Sequence, residues 1–377
     1  MPGLVTVSRQ TIDWLVRRRA ELRLATRMTV AGVTTFGLAS ALGLPQGYWA
    51  VFTSVIIMQA SVGGSLKATV DRLIGTLCGA AYGAAVAWLV PHAQPVAQGL
   101  ALLIALAPLA VLSALNQAFR VAPVTAIIVL LGTVGQHAGP FESALERVLE
   151  IGLGSVVGLA VALLVLPARA HGVLTTSAGR TLGLLADLLP PLLQGLTGAS
   201  DGDDIQRLLD RVRAAMTKLE TATDEARRER RSHLSDAPDP EPFLRTLLRL
   251  RHDLVIIHRA TVAPLPEPIR SRLAPALAQL STTAAAFLRD VGAALAERRA
   301  PPSLATVEAA FDAFRVELLA LRGEGLIRIL PVDDVGRLYG FSFALEQLRE
   351  HFNDMASRTA ESVRPAATAP RLADNGA

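Results

Sequence analysis

The chain has 377 residues, 51% of them hydrophobic and only 19% charged, and its mean hydropathy is +0.39. That is too apolar for a water-soluble protein of two domains. Ten basic and six acidic residues lie up to Pro167 and 27 of each follow, so the whole formal charge of +4 belongs to the apolar half and reflects membrane topology rather than nucleic-acid binding.

Residues 1–27 form a basic segment containing Arg9, Arg17, Arg18, Arg19, Arg23 and Arg27. Between Thr11 and Arg27 these arginines alternate with Trp14, Leu15, Leu22 and Leu24, which suits an interfacial helix on an anionic leaflet, or else a solvated flank that only sets topology. The first apolar run starts after residue 27 and no small-residue cleavage site is convincing, so the pattern is not that of a signal peptide.

Four runs lack Asp, Glu, Lys and Arg: Met28–Leu66, Leu73–Phe119, Val121–Phe141 and Ile151–Ala168. A spanning helix needs about 20 apolar residues, so two runs hold two crossings each and two hold one. Turn signals at Leu44-Pro45-Gln46-Gly47 and Pro91-His92-Ala93-Gln94-Pro95 divide the long runs. The expectation is a six-helix transmembrane domain over residues 28–167, with spans near 28–44, 48–63, 73–90, 96–115, 121–136 and 147–166. Lys67 and Arg72, Arg120, and Arg169 with Arg180 alternate by span with the lone Arg147, which puts both termini in the cytoplasm. The single Cys78, inside span three, excludes an intrachain disulfide.

Arg72–Val90 (RLIGTLCGAAYGAAVAWLV) and Arg147–Val165 (RVLEIGLGSVVGLAVALLV) align without a gap, and Thr53–Met58 (TSVIIM) and Thr125–Leu130 (TAIIVL) are a weaker echo. Units of three spans would be inserted in opposite senses, the inverted-repeat plan of many transporters. Gly75, Gly79 and Gly83, and likewise Gly154 and Gly158, recur every four residues; such spacing permits close helix packing rather than nucleotide binding.

Gly47-Tyr48-Trp49-Ala50 with Thr53, then Met58 to Lys67 (MQASVGGSLK), then Asp71 to Thr76 (DRLIGT) with Gly79, resemble the fusaric acid resistance family of bacterial membrane proteins. That family is similar to the aromatic acid exporters and to the aluminium-activated malate channels of plants. The resemblance implies export or channelling of small organic anions, often aromatic carboxylates, across the bacterial inner membrane. Two departures stand out: many members have Pro where this chain has Ala60, and the longer exporters contain two membrane units. A single unit here implies a homodimer, as do the glycine faces if they need a close partner.

Lys67 and Arg72, with Ser61, Ser65 and Thr69 as neutral donors, are the candidate anion entrance at the cytoplasmic mouth, or else obey the positive-inside rule alone with Arg72 neutralised by Asp71. Trp49 and Thr53 are candidate substrate contacts, Trp49 being alternatively part of an aromatic belt. Glu146, Arg147 and Glu150 form a proton or counter-ion relay or an interfacial salt-bridge cluster, and Arg120, with Asn116 and Gln117 before it, lines the mouth or caps span four.

Residues 168–363 read as a cytoplasmic all-α bundle. Apolar residues recur at helical spacing in Ile205–Leu219, Leu304–Leu318 and Val335–Met355, with breaks at 196–202, 235–242, 263–268 and 300–302. The run Arg227–Arg231 reads as a solvated helix end, or else as a lipid or partner site, and residues 364–377 as a disordered tail. No metal spacing, nucleophile motif or phosphate loop is present, so no enzyme activity and no cofactor is expected. Two functions stay open: an anion transporter or channel, and a membrane-anchored scaffold or sensor whose helical domain is the active part.

Overall fold

The computed structural model describes residues 18–90, 94–135, 139–167, 169–198 and 201–363. The basic stretch up to residue 17, positions 91–93 of the second turn signal and the tail from 364 lie outside the described residues. Among the described residues every regular element is a helix, and the chain divides into two compact units, residues 1–169 and 170–377.

In the first unit the helices are α1 (Arg19–Ala41), α2 (Tyr48–Ile56), α3 (Val62–Leu89), α4 (Pro95–Leu115), α5 (Ala122–Gly135) and α6 (Pro140–Leu164), with a 3₁₀ turn at Gln117–Phe119. Three of them, α3, α4 and α6, are long and apolar enough to cross a membrane. Among the described residues six helices follow the six expected spans in order, and three of them are shown to have spanning length and composition. With nine residues, α2 is about 14 Å long, and α5 with 14 residues is about 21 Å, against a hydrocarbon core of roughly 30 Å. Although α1 has 23 residues, Arg19, Glu21, Arg23 and Arg27 occupy its first half.

The largest departure is at residues 64–72. They were expected as a loop between spans but form the early turns of α3, whose N-cap is Ser61: its Oγ accepts from the Gly64 N–H. The chain leaves helix instead at 57–61, between α2 and α3. Both equivalent helices, α3 and α6, begin well before the expected span starts at 73 and 147, so Arg72 and Arg147 sit inside helices rather than at their ends.

The glycine rows find their partners within the chain. A Cβ on Gly79 would lie 2.3 Å from the Ala122 carbonyl oxygen and 2.9 Å from Thr125 Cβ; one on Gly154 would lie 2.2 Å from the Ala50 oxygen and 2.9 Å from Thr53 Cβ. Gly83 meets Ala126 and Gly158 meets Ser54 and Ile57. Thus α3 docks on α5 and α6 on α2, and Thr53 and Thr125, which open the echoed segments, occupy matching places. Contact positions advance together in both pairs, so each pair is parallel. Gly132 faces Ser143 across the connection that follows α5, making α5 and α6 antiparallel and hence α3 and α6 antiparallel. Because the glycine faces are filled internally, they give no support to a homodimer.

The second unit contains α7 (Ala170–Gln194), α8 (Gly202–Arg231), α9 (Glu241–Ala260), α10 (Ile269–Glu297), α11 (Ala305–Gly323), a 3₁₀ turn (Leu326–Ile329) and α12 (Val332–Val363). The periodic residues Ile205, Val212, Met216, Leu219, Val307, Phe311, Phe314, Leu338, Leu345, Leu348, Phe352 and Met355 are all in one core. Phe352 stacks on Phe287 with 5.0 Å between centroids and meets Phe311 edge-on. Gly179 and Gly292 let α7 and α10 cross backbone to backbone. The solvated reading of Arg227–Arg231 fails at Glu229, which is 1% exposed and whose carboxylate accepts from the first N–H of α7, on Ala170, at 3.0 and 2.9 Å. A carboxylate there answers the unpaired N–H groups and positive end of the helix.

Candidate functional site

Short α2 ends in a non-helical stretch whose backbone groups need partners. Ser65 Oγ accepts from Gln59 N–H at 2.9 Å, and fully buried Arg27 donates from Nη2 to the carbonyls of Gln59 and Ala60 at 3.1 and 3.3 Å. Ser61, Ser65 and Thr69 are buried; Thr69 Oγ1 donates to Ser65 O at 2.8 Å. These three hydroxyls build the α2–α3 connection. Arg27, read from the sequence as a topological flank, is part of the same construction.

At the other end of α2, buried Arg147 and Glu150, one turn apart on α6, form an ion pair at 3.2 Å. Arg147 also donates to Gln46 Oε1 at 3.1 Å, and Glu150 Oε1 accepts from the Gln46 N–H at 2.9 Å. The Arg147 guanidinium lies 4.4 Å from the centroid of Trp49, whose Nε1 donates to the same Gln46 oxygen at 3.2 Å. Cation–π contact, two hydrogen bonds and an opposite charge together satisfy an ion pair in an apolar surround. The cluster is thus a salt bridge buried within the protein, and Trp49 is part of it. Glu146 is half-buried beside it.

Arg72 is the eleventh residue of α3. Its Nη2 donates to buried Thr53 Oγ1 at 3.4 Å, and it lies within electrostatic range of Arg147. Asp71 does not neutralise it: that carboxylate pairs with Lys67 Nζ at 2.6 Å along the helix surface. Among the described residues no carboxylate is within ion-pair distance of Arg72. A partly buried guanidinium held by a neutral hydroxyl, with a second arginine in electrostatic range, has capacity for an anion.

The chain matches the fusaric acid resistance protein family over residues 21–330. It belongs to that family. Membership implies a membrane protein of transport or efflux, and the match runs through the first unit and across most of the second, further than the motifs suggested. Comparison with individually curated proteins gives no match.

Of the other expected site positions in this family member, Arg120 is exposed, and Asn116 is the cap between α4 and the 3₁₀ turn, its Oδ1 accepting from the Ala118 N–H at 3.0 Å. The structure thus joins Arg72 with Thr53, and Arg147 with Glu150 and Trp49, and leaves Lys67 on a separate, half-exposed pair. Sequence reasoning missed Gln46 and Arg27. The Pro45-Gln46-Gly47 turn signal was visible, but nothing in it distinguishes a turn residue from one that bonds three side chains. Among the described residues no group of three or more His, Cys, Asp or Glu is arranged to hold a metal ion.

Proposed function

We propose that this protein carries small organic anions, with aromatic carboxylates as the first class to test, across the bacterial inner membrane, with both termini and the second unit in the cytoplasm. The observation that carries the reading is Arg72: a guanidinium inside an apolar helix, held by the Thr53 hydroxyl, while the adjacent Asp71 is taken up by Lys67. An anion entering a low-dielectric path needs fixed positive charge to replace its water, and a cation left without a carboxylate supplies it.

The exchanged packing of α3 on α5 and α6 on α2 supports an inverted pair of three-helix units, and short α2 and α5 are the discontinuous elements that such carriers use near their binding sites. Non-helical backbone at 57–61, tied down by Ser65 and Arg27, fits the rule that irregular backbone at membrane depth is buried in protein. The homodimer rests only on the single membrane unit, now that the glycine faces are filled.

The test is flux of labelled benzoate and malate into proteoliposomes containing the full chain. Arg72→Gln removes a charge-assisted contact of about 1.5–3 kcal/mol and should lower kcat/KM by roughly 10- to 100-fold. Lys67→Gln should change it far less. Unaltered transport by a correctly inserted Arg72→Gln protein would remove Arg72 from the path. Absence of any carboxylate flux in the unsubstituted protein would favour the scaffold reading.

A further inference from the structure

Polar atoms without partners in the first unit lead beyond Arg72. Thr76 and Ser155 are each 1% exposed, and Thr76 Oγ1, Ser155 Oγ and Arg72 Nε have no hydrogen-bond partner. Other hydroxyls of this unit bond back to the carbonyl four residues earlier, as Thr35, Thr69 and Thr125 do at 2.7, 2.8 and 3.2 Å. That back-bond is the usual way for a helix to satisfy a buried hydroxyl. Thr76 and Ser155 leave theirs free, at the cost attached to any buried polar group without a partner.

All three atoms belong to α3 and α6, which pack on each other. Thr76 follows Arg72 by one turn on the same side of α3. Ser155 follows Gly154, which touches Thr53, the acceptor for Arg72. Ala80 and Ala84 cluster with Val129 of α5 and with Ala144 and Val148 on the antiparallel α6; running on from that contact, the Arg72–Thr76 part of α3 lies toward the part of α6 that holds Ser155.

We infer that Thr76, Ser155 and Arg72 Nε form a three-donor carboxylate subsite between α3 and α6. The inference rests on the anion-carrier reading above and names two residues to which that reading gives no role. A carboxylate has room for about four donors on its two oxygens. Two hydroxyls orient it without adding a second fixed charge, which keeps binding weak enough for release, and an uncharged amide of the same shape gains nothing from the guanidinium.

Thr76→Val and Ser155→Ala, singly and together in the full chain, remove only the hydroxyls. Each should raise KM for benzoate by roughly 10- to 100-fold in proteoliposomes, as loss of one hydrogen bond to a charged group predicts, while Thr76→Ser stays near the parent. Benzoate should raise the melting temperature of the parent protein and not of the double variant, and benzamide should raise neither. Without ligand, the double variant should melt no lower than the parent, since it loses two unsatisfied groups; a purely structural role predicts the opposite. A parent that transports benzoate and a double variant with the same KM and the same ligand shift would overturn the subsite alone. A parent that neither transports nor binds any carboxylate would overturn the carrier reading and the subsite with it.

Discussion

Gly154→Ala and Gly152→Ala make the same chemical change two residues apart on α6, and the structure gives them opposite signs. An added Cβ at Gly154 would sit 2.2 Å from the Ala50 carbonyl oxygen, against an ordinary contact of at least 3.4 Å. The obstacle is backbone, so no rotamer relieves it and α2 must shift away from α6. Overpacking of this kind costs about 1–3 kcal/mol, and the rigid obstacle argues for the upper end. Alanine recovers up to about 1 kcal/mol of helix propensity, which leaves a net loss near 2 kcal/mol. At Gly152 nothing lies within 4 Å, so only the propensity gain remains. The two variants should therefore differ by about 3 kcal/mol. Thermal unfolding of the purified protein in one detergent, followed by circular dichroism, measures the difference, and the shared substitution cancels most unfolded-state effects. Gly79→Ala, blocked by the Ala122 oxygen at 2.3 Å, should match Gly154→Ala. Equal stability of the Gly152 and Gly154 variants would refute the reciprocal docking.

Arg147→Gln or Glu150→Gln should each destabilise the first unit by about 3–5 kcal/mol, because each strands the other charge in an apolar site, whereas the double change Arg147→Met, Glu150→Leu should cost much less; thermal unfolding distinguishes the cases. Asp71→Asn should change stability by less than about 1 kcal/mol, since the Lys67–Asp71 pair is 41% and 26% exposed at its two side chains and is screened by solvent. In the second unit, burial holds the His171 imidazole below its usual pKa, the Arg298 charge adding to this and a backbone hydrogen bond with Ser362 opposing it. The unfolded chain then takes the proton more readily, so stability is full above about pH 6.5 and falls below it, by at most about 1.4 kcal/mol per pH unit for one proton. His171→Gln should flatten that slope in denaturant titrations between pH 5 and 7.

Helix positions followed closely from apolar runs and turn signals: α4 and α5 begin and end within a residue or so of the expected spans. The misplaced starts of α3 and α6 share one cause. Starting spans three and six at Leu73 and Arg147 assumes that charges lie at the water boundary, and Arg72, Arg147 and Glu150 do not need to, because Thr53, Gln46 and Trp49 take the place of solvent. Those partners are distant in sequence and leave no local signature. Glycine spacing announced close packing but carried no information about which helix would fill it. Thr76 and Ser155 were invisible for a plainer reason: a single hydroxyl in an apolar helix normally satisfies itself, and only the geometry shows that these two do not.

The exchange of parallel partners between halves also dictates an order of assembly. When α1, α2 and α3 have been made, the docking surface of α2 and the glycine row of α3 are both complete and both vacant, because their counterparts are α6 and α5. Neither half can close on itself. The first waits as an open template until the last helix of the unit is synthesised: a stop before α5 leaves both grooves unfilled, and a stop between α5 and α6 still leaves the α2 groove empty.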